Sequence, residues 1–119
     1  MRILVTGSRD WKDSWVVIMA LRDVLGGHPK GTIVEGGAQG ADRIARNWAR
    51  RFPDLTVETH KAEWRTQGSA AGPIRNQKMV DLGADICLAF PLGESPGTRD
   101  CMRRARKAGI TVMDYGDQS

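Results

Sequence analysis

Thr32-Ile33-Val34-Glu35-Gly36-Gly37-Ala38-Gln39-Gly40-Ala41-Asp42 opens as a short β-branched run, breaks at two glycines and leads into Ile44, Ala45, Trp48 and Ala49 at helical spacing. A strand that stops at a glycine loop and restarts as a helix is half of a βαβ unit. The pattern recurs on both sides. Upstream, Arg2 to Thr6 reads as a buried strand ending in the polar loop Gly7-Ser8-Arg9-Asp10. A helix follows from Asp13 to Leu25, with Trp15, Ile18, Leu21 and Leu25 as its apolar stripe and Gly26-Gly27 as its stop. Downstream, Leu55 to His60 predicts a third strand and Lys61 to Gly72 a long irregular loop holding Trp64. Pro73 is placed in the first turn of a helix that puts Ile74, Met79 and Leu82 inside and closes at Gly83. Asp85 to Phe90 is the most continuously apolar segment, as expected of a central parallel strand covered on both faces. Ser95 reads as an N-cap before Pro96, Met102, Ala105 and Ala108 carry the last helix to Gly109, and Ile110 to Met113 forms the last strand. The sum is one α/β domain over residues 1–119: a doubly wound, mostly parallel five-stranded sheet with helices on both faces.

With 119 residues, 40% hydrophobic and 27% charged, the chain has the size of one globular domain. No run approaches the roughly 20 apolar residues of a membrane helix, and glycine and charge follow Met1 too soon for a signal peptide, so no membrane partner and a cytoplasmic location are expected. Cys87 lies in an apolar run and Cys101 among charges, without a CxxC or nearby histidine, and His28 and His60 have no partner at metal or triad spacing. Neither a metal site nor a disulfide is expected. A glycine loop followed by GK[ST] is missing, as is a GxGxxG after the first strand, which disfavours ATP hydrolysis and ordinary NAD chemistry; no cofactor is expected. Eighteen Lys plus Arg against fourteen Asp plus Glu give a formal charge of +4, a mild bias toward phosphate-bearing ligands.

In an open parallel sheet, ligands bind beyond the carboxyl ends of the strands, where the strand order reverses. Four clusters meet that condition: Gly7-Ser8-Arg9, Gly36-Gly37 through Gly40 and Asp42, Arg75-Asn76, and Ser95-Pro96-Gly97-Thr98. The glycines of the second can bring backbone amides near a phosphate or ribose, with Asp42 accepting from a sugar hydroxyl, or can simply make a strand-to-helix turn. Gly97 and Thr98 fall where a helix exposes free amides and its positive end, while Ser95 either donates to a ligand or caps the helix. Arg9 and Arg75 are the guanidinium groups placed at the ligand; Arg103, Arg104 and Arg106 read as a solvated helix face. Asn76 either bonds a base or sugar or orients the loop backbone, and Trp11 and Trp64 either stack on a base or seal the core edge.

Together, Val5-Thr6-Gly7-Ser8-Arg9-Asp10-Trp11, Gly36 to Asp42, Ala71 to Met79 and Ser95 to Thr98 resemble the YspA/YpsA-related branch of the SLOG superfamily. The resemblance implies a Rossmann-like fold that binds nucleotides or nucleotide-derived small molecules, as a sensor or processing module, and, by analogy, pairing into a homodimer. A related branch, the lysine-decarboxylase-like phosphoribohydrolases, cleaves the N-glycosidic bond of nucleoside monophosphates and carries RKxxM and PGGxGTxxE segments. Arg75 and Met79 match the first and Gly97-Thr98 the second, but Asn76 replaces the lysine and Cys101 stands at the catalytic glutamate. Cysteine is a poor substitute for a carboxylate at an oxocarbenium centre. Catalysis would therefore turn on Arg75 with Asp42, Glu35 or Asp100 as the carboxylate. Three functions compete: a nucleotide-binding module, a nucleotide N-glycosidase using the same crevice, and, by resemblance to single-stranded-DNA-binding recombination mediators, a nucleic-acid-binding module.

Overall fold

The structure, a computed structural model, describes residues 1–116. Strands β1 (Arg2–Gly7), β2 (Gly31–Glu35), β3 (Leu55–Thr59), β4 (Ile86–Phe90) and β5 (Val112–Asp114) form one sheet in the order β3-β2-β1-β4-β5. Every pairing is parallel. Helices α1 (Ser14–Leu25) and α2 (Ala41–Ala49) follow β1 and β2; α3 (Trp64–Gln67) and α4 (Ala71–Asp81) lie between β3 and β4; α5 (Pro96–Lys107) joins β4 to β5. The chain steps outward through β1, β2 and β3, then returns to place β4 on the other side of β1. This reversal is the topological switch at which such sheets open a crevice.

Side-chain alternation along the strands builds two cores. Ile3, Val5, Ile33, Leu88 and Phe90 face one way and pack with Val17 and Leu21 of α1 and Ala41, Ala45 and Trp48 of α2. Leu4, Val34 and Cys87 face the other way, against Met79 and Val80 of α4 and Cys101 and Ala105 of α5. The helices thus lie on both faces, and strands covered on both sides carry the unbroken apolar runs seen in the sequence.

Helix α2 buries Ala45, Trp48 and Ala49 as its spacing predicts, whereas α1 and α4 depart from the sequence reading in rotation. In α1 the buried residues are Val17, Ala20 and Leu21, while Trp15 is 64% exposed; α1 is apolar almost all round, so spacing alone does not choose its inner face. In α4, Ile74 and Leu82 are exposed and the buried residues are Ala71, Gly72, Asn76, Met79 and Val80. A polar Asn76 inside that stripe concealed it. In α5, Cys101, Met102 and Ala105 are buried and Ala108 is exposed. The expected irregular loop at 61–72 contains α3, a 3-10 turn at Gly68–Ala70 and the start of α4. A four-residue helix is too short to show a period. Among the described residues no helix is long and apolar enough to cross a membrane.

Candidate functional site

The loops beyond the carboxyl ends of β1, β2, β3 and β4 surround a cleft of about 860 Å³, within the usual range for small-molecule sites. It is lined by Gly7, Ser8 and Arg9 from the first loop, Gly36, Gly37 and Asp42 from the second, Arg75 and Asn76 from α4, and Ser95, Gly97 and Thr98 from the start of α5. Four segments distant in sequence therefore converge, and Arg75 and Thr98 share one cavity. Gly40, Glu35, Asp100 and Cys101 are not among the lining residues.

Hydrogen bonds fix this convergence from the floor upward. Asp42 Oδ2 accepts from the amides of Gly36 (3.1 Å) and Ala38 (3.3 Å), closing the glycine loop onto the first turn of α2. Gly36 O accepts from Arg75 Nη1 at 2.7 Å, and Arg75 Nη1 also reaches His60 O at 3.3 Å. Arg75 Nε donates to Asn76 Oδ1 at 2.9 Å, and Asn76 Nδ2 donates to Gly97 O and Asp100 Oδ2, both at 3.0 Å. One continuous line of bonds thus runs from the β2 loop through α4 to the first turn of α5. A Cβ on Gly36 would collide with Arg75 Nη1, so the bare glycine makes room for the guanidinium. Gly40 holds φ +71°, and a Cβ there would strike the Ser8 carbonyl; its contribution is close packing of the first two loops.

These bonds divide the candidate residues. Asn76, buried and fully engaged, orients backbone and helix. Glu35, completely buried, accepts from Arg46 Nη1 and the Gly37 amide, each at 2.7 Å, and from the Thr59 hydroxyl, which occupies it in joining β2, β3 and α2. Burial works to raise the Asp100 carboxyl, but Arg104 and Asn76, with Arg103 beside them, hold it below its ordinary value. Ser95 sits at the N-cap of α5 with φ 40° and makes no side-chain capping bond, so ordinary capping does not explain it. Cys101 is wholly buried and burial pushes its thiol up to about 11, while Cys87 is a buried apolar side chain. Trp11, 8% exposed, packs edge-on against Phe90 and belongs to the core; Trp64 lines the cleft.

Asp42 differs from the other carboxylates. It lines the cleft yet is 95% buried, and burial, reinforced by the nearby Glu35 charge, raises its carboxyl to about 7. Its Oδ1 is the one buried side-chain oxygen or nitrogen without a partner among the described residues. Such atoms concentrate where a protein reserves a group for something else.

Guanidinium chemistry and a place at the crevice edge mark Arg9 and Arg75 as the cations in the sequence; the structure adds Arg43 of α2 and Lys61 after β3. Among the described residues Arg9, Arg43 and Lys61 make no ion pair, and all three are exposed. Asp10 and Asp42 are the opposing carboxylates of the lining, so the cleft is net cationic. Lys61 could have been found by extending the carboxyl-edge rule to the third strand. At the other end, the Gly97 and Thr98 amides lie in the first helical turn of α5, where no intrahelical acceptor exists. The arrangement can hold an anionic group by charge and amides and a hydroxyl-bearing group beside Asp42.

The Gene 61 protein of Mycobacterium phage D29 is 52% identical to this chain over 122 residues, covering 98% of each. No solved structure matches. Residues 1–66 match the model of the YspA, cpYpsA-related SLOG family. That segment spans β1 to β3 and supplies the Gly7 and Gly36-Gly37 loops with Asp42, Arg43 and Lys61. With more than half its length matched and its parallel α/β sheet carrying those loops to one cleft, the chain belongs to the YspA, cpYpsA-related SLOG family.

Proposed function

We propose that the cleft binds a nucleotide or nucleotide-derived ligand and that the protein acts as a sensor or processing module for it. The observation that carries this reading is the meeting, in one 860 Å³ cavity, of unpaired Arg9, Arg43 and Lys61 with the half-satisfied carboxyl of Asp42. The cations suit phosphate, the free amides of α5 offer a second contact, and Asp42 suits a sugar hydroxyl. Family membership supports a nucleotide-related function.

The test uses cations that hold nothing in the fold. Titration calorimetry against mononucleotides, dinucleotides and ADP-ribose is expected to find at least one ligand, with affinity falling tenfold or more in the Arg9→Ala/Lys61→Ala double variant at an unchanged melting temperature. No binding across the panel, or equal binding by the double variant, rejects the reading.

A second reading, a nucleotide N-glycosidase, rests on one feature: a carboxyl group near pH 7 in its titration is poised for proton transfer. Asp42 would act there with Arg75 nearby, since Glu35 and Asp100 are occupied. Release of free base from nucleoside monophosphates, abolished by Asp42→Asn, separates this from binding alone.

A further inference from the structure

The cleft also has an apolar wall that anion binding leaves unused. Trp64, the first residue of α3, lines it and is 60% exposed. Trp11 and Trp48 are buried, and Trp15, also exposed, lies on α1 outside the cleft lining. Trp64 is nevertheless supported from behind. Gly72 is buried in the first turn of α4, and a Cβ there would stand 3.3 Å from Trp64 Cη2 and 4.0 Å from Cζ2. A bare glycine therefore lets the benzo edge of the indole close on the helix. The same helix carries Arg75, whose bond to Gly36 O ties it to the cleft floor. Lys61, in the same lining, precedes Trp64 by three residues. An aromatic surface that is open to a cleft, backed by a helix and flanked by a free cation suits a planar ring joined to an anion.

We infer that Trp64 is the platform on which the aromatic base of the ligand stacks. The inference rests on the nucleotide reading and deepens it: the cleft takes a base-bearing nucleotide in preference to the bare sugar phosphate. Stacking on an indole face needs no hydrogen-bonding edge, so it favours any base over none and distinguishes weakly among bases.

The experiment compares AMP, GMP, CMP and UMP with ribose 5-phosphate by calorimetry on the wild type, Trp64→Ala and Trp64→Phe, with thermal melting as the check on folding. The wild type is expected to bind the nucleotides about ten- to a hundredfold more tightly than ribose 5-phosphate. Trp64→Ala removes that preference while leaving ribose 5-phosphate affinity within about twofold, and Trp64→Phe restores most of it. Equal loss of both ligand types, an unchanged preference in Trp64→Ala, or failure of phenylalanine to rescue overturns the stacking role while the binding reading stands. Wild-type protein that binds neither these nucleotides nor ribose 5-phosphate overturns the stacking role, and failure across the wider panel overturns the function proposed for the cleft.

Discussion

Asp42 concentrates the energetic tension of the molecule in one side chain. A carboxyl raised from 3.8 to about 7 keeps its proton in the folded state where the unfolded chain has lost it. The unfolded state then binds fewer protons between those values, so stability falls as pH rises from about 4 to about 7 and levels off above, a loss on the order of 4 kcal/mol from this group alone. Asp42→Asn, which keeps an acceptor for the Gly36 and Ala38 amides, is expected to flatten that part of the profile and to be more stable than the wild type at pH 8. Urea titrations of both proteins between pH 5 and pH 8 check it; parallel profiles would show that Asp42 ionises normally. The aspartate was legible as a site candidate from its place after the glycine loop. Its orphaned Oδ1 was not, because burial and partner counts arise only when α2 closes on β2.

Among the elements, β2, β3 and α2 are held at their carboxyl end by Glu35, a fully buried carboxylate with three donors. Glu35→Ala is expected to cost about 3–5 kcal/mol, because Arg46 loses its counter-charge and the Thr59 hydroxyl and Gly37 amide lose their acceptor. Chemical denaturation measures this. A cost below about 1 kcal/mol would mean that water replaces the carboxylate. Glu35 enters as a catalytic candidate only because Cys101 stands where the resembling hydrolases carry their glutamate; which way a strand-end side chain turns depends on the neighbouring strand and helix, and here Thr59 and Arg46 claim it. On the other face of β3, beside Thr59, Arg2 bonds Glu58 in two places and His60 adds a third contact, which lowers the Glu58 carboxyl to about 2. This partly exposed cluster stabilises the fold above the ordinary glutamate range, and its contribution fades as pH falls toward 2.

For the molecule as a whole, the two cysteines report on opening. Cys87 and Cys101 are both completely buried, with thiols pushed upward by burial, so native-state labelling by a thiol reagent is expected to proceed only through unfolding. A ligand at a hundred times its dissociation constant adds about 2.7 kcal/mol of stability and should slow labelling roughly a hundredfold. Fast labelling of the native protein would show a local opening of α5. The sequence by itself determined the layer architecture, since strand-length apolar runs alternating with amphipathic segments and glycine stops allow little besides a parallel sheet covered on both faces. It also named the loops that meet, because in such a sheet every carboxyl-end loop emerges on one edge. Tertiary structure alone decided the rotation of α1 and α4, the turning of Glu35 away from the cleft, the engagement of Asn76 and the recruitment of Arg43, Lys61 and Trp64. The physical reason is that these outcomes depend on which side chains compete for the same donors and the same space, and that competition exists only once distant segments are packed together.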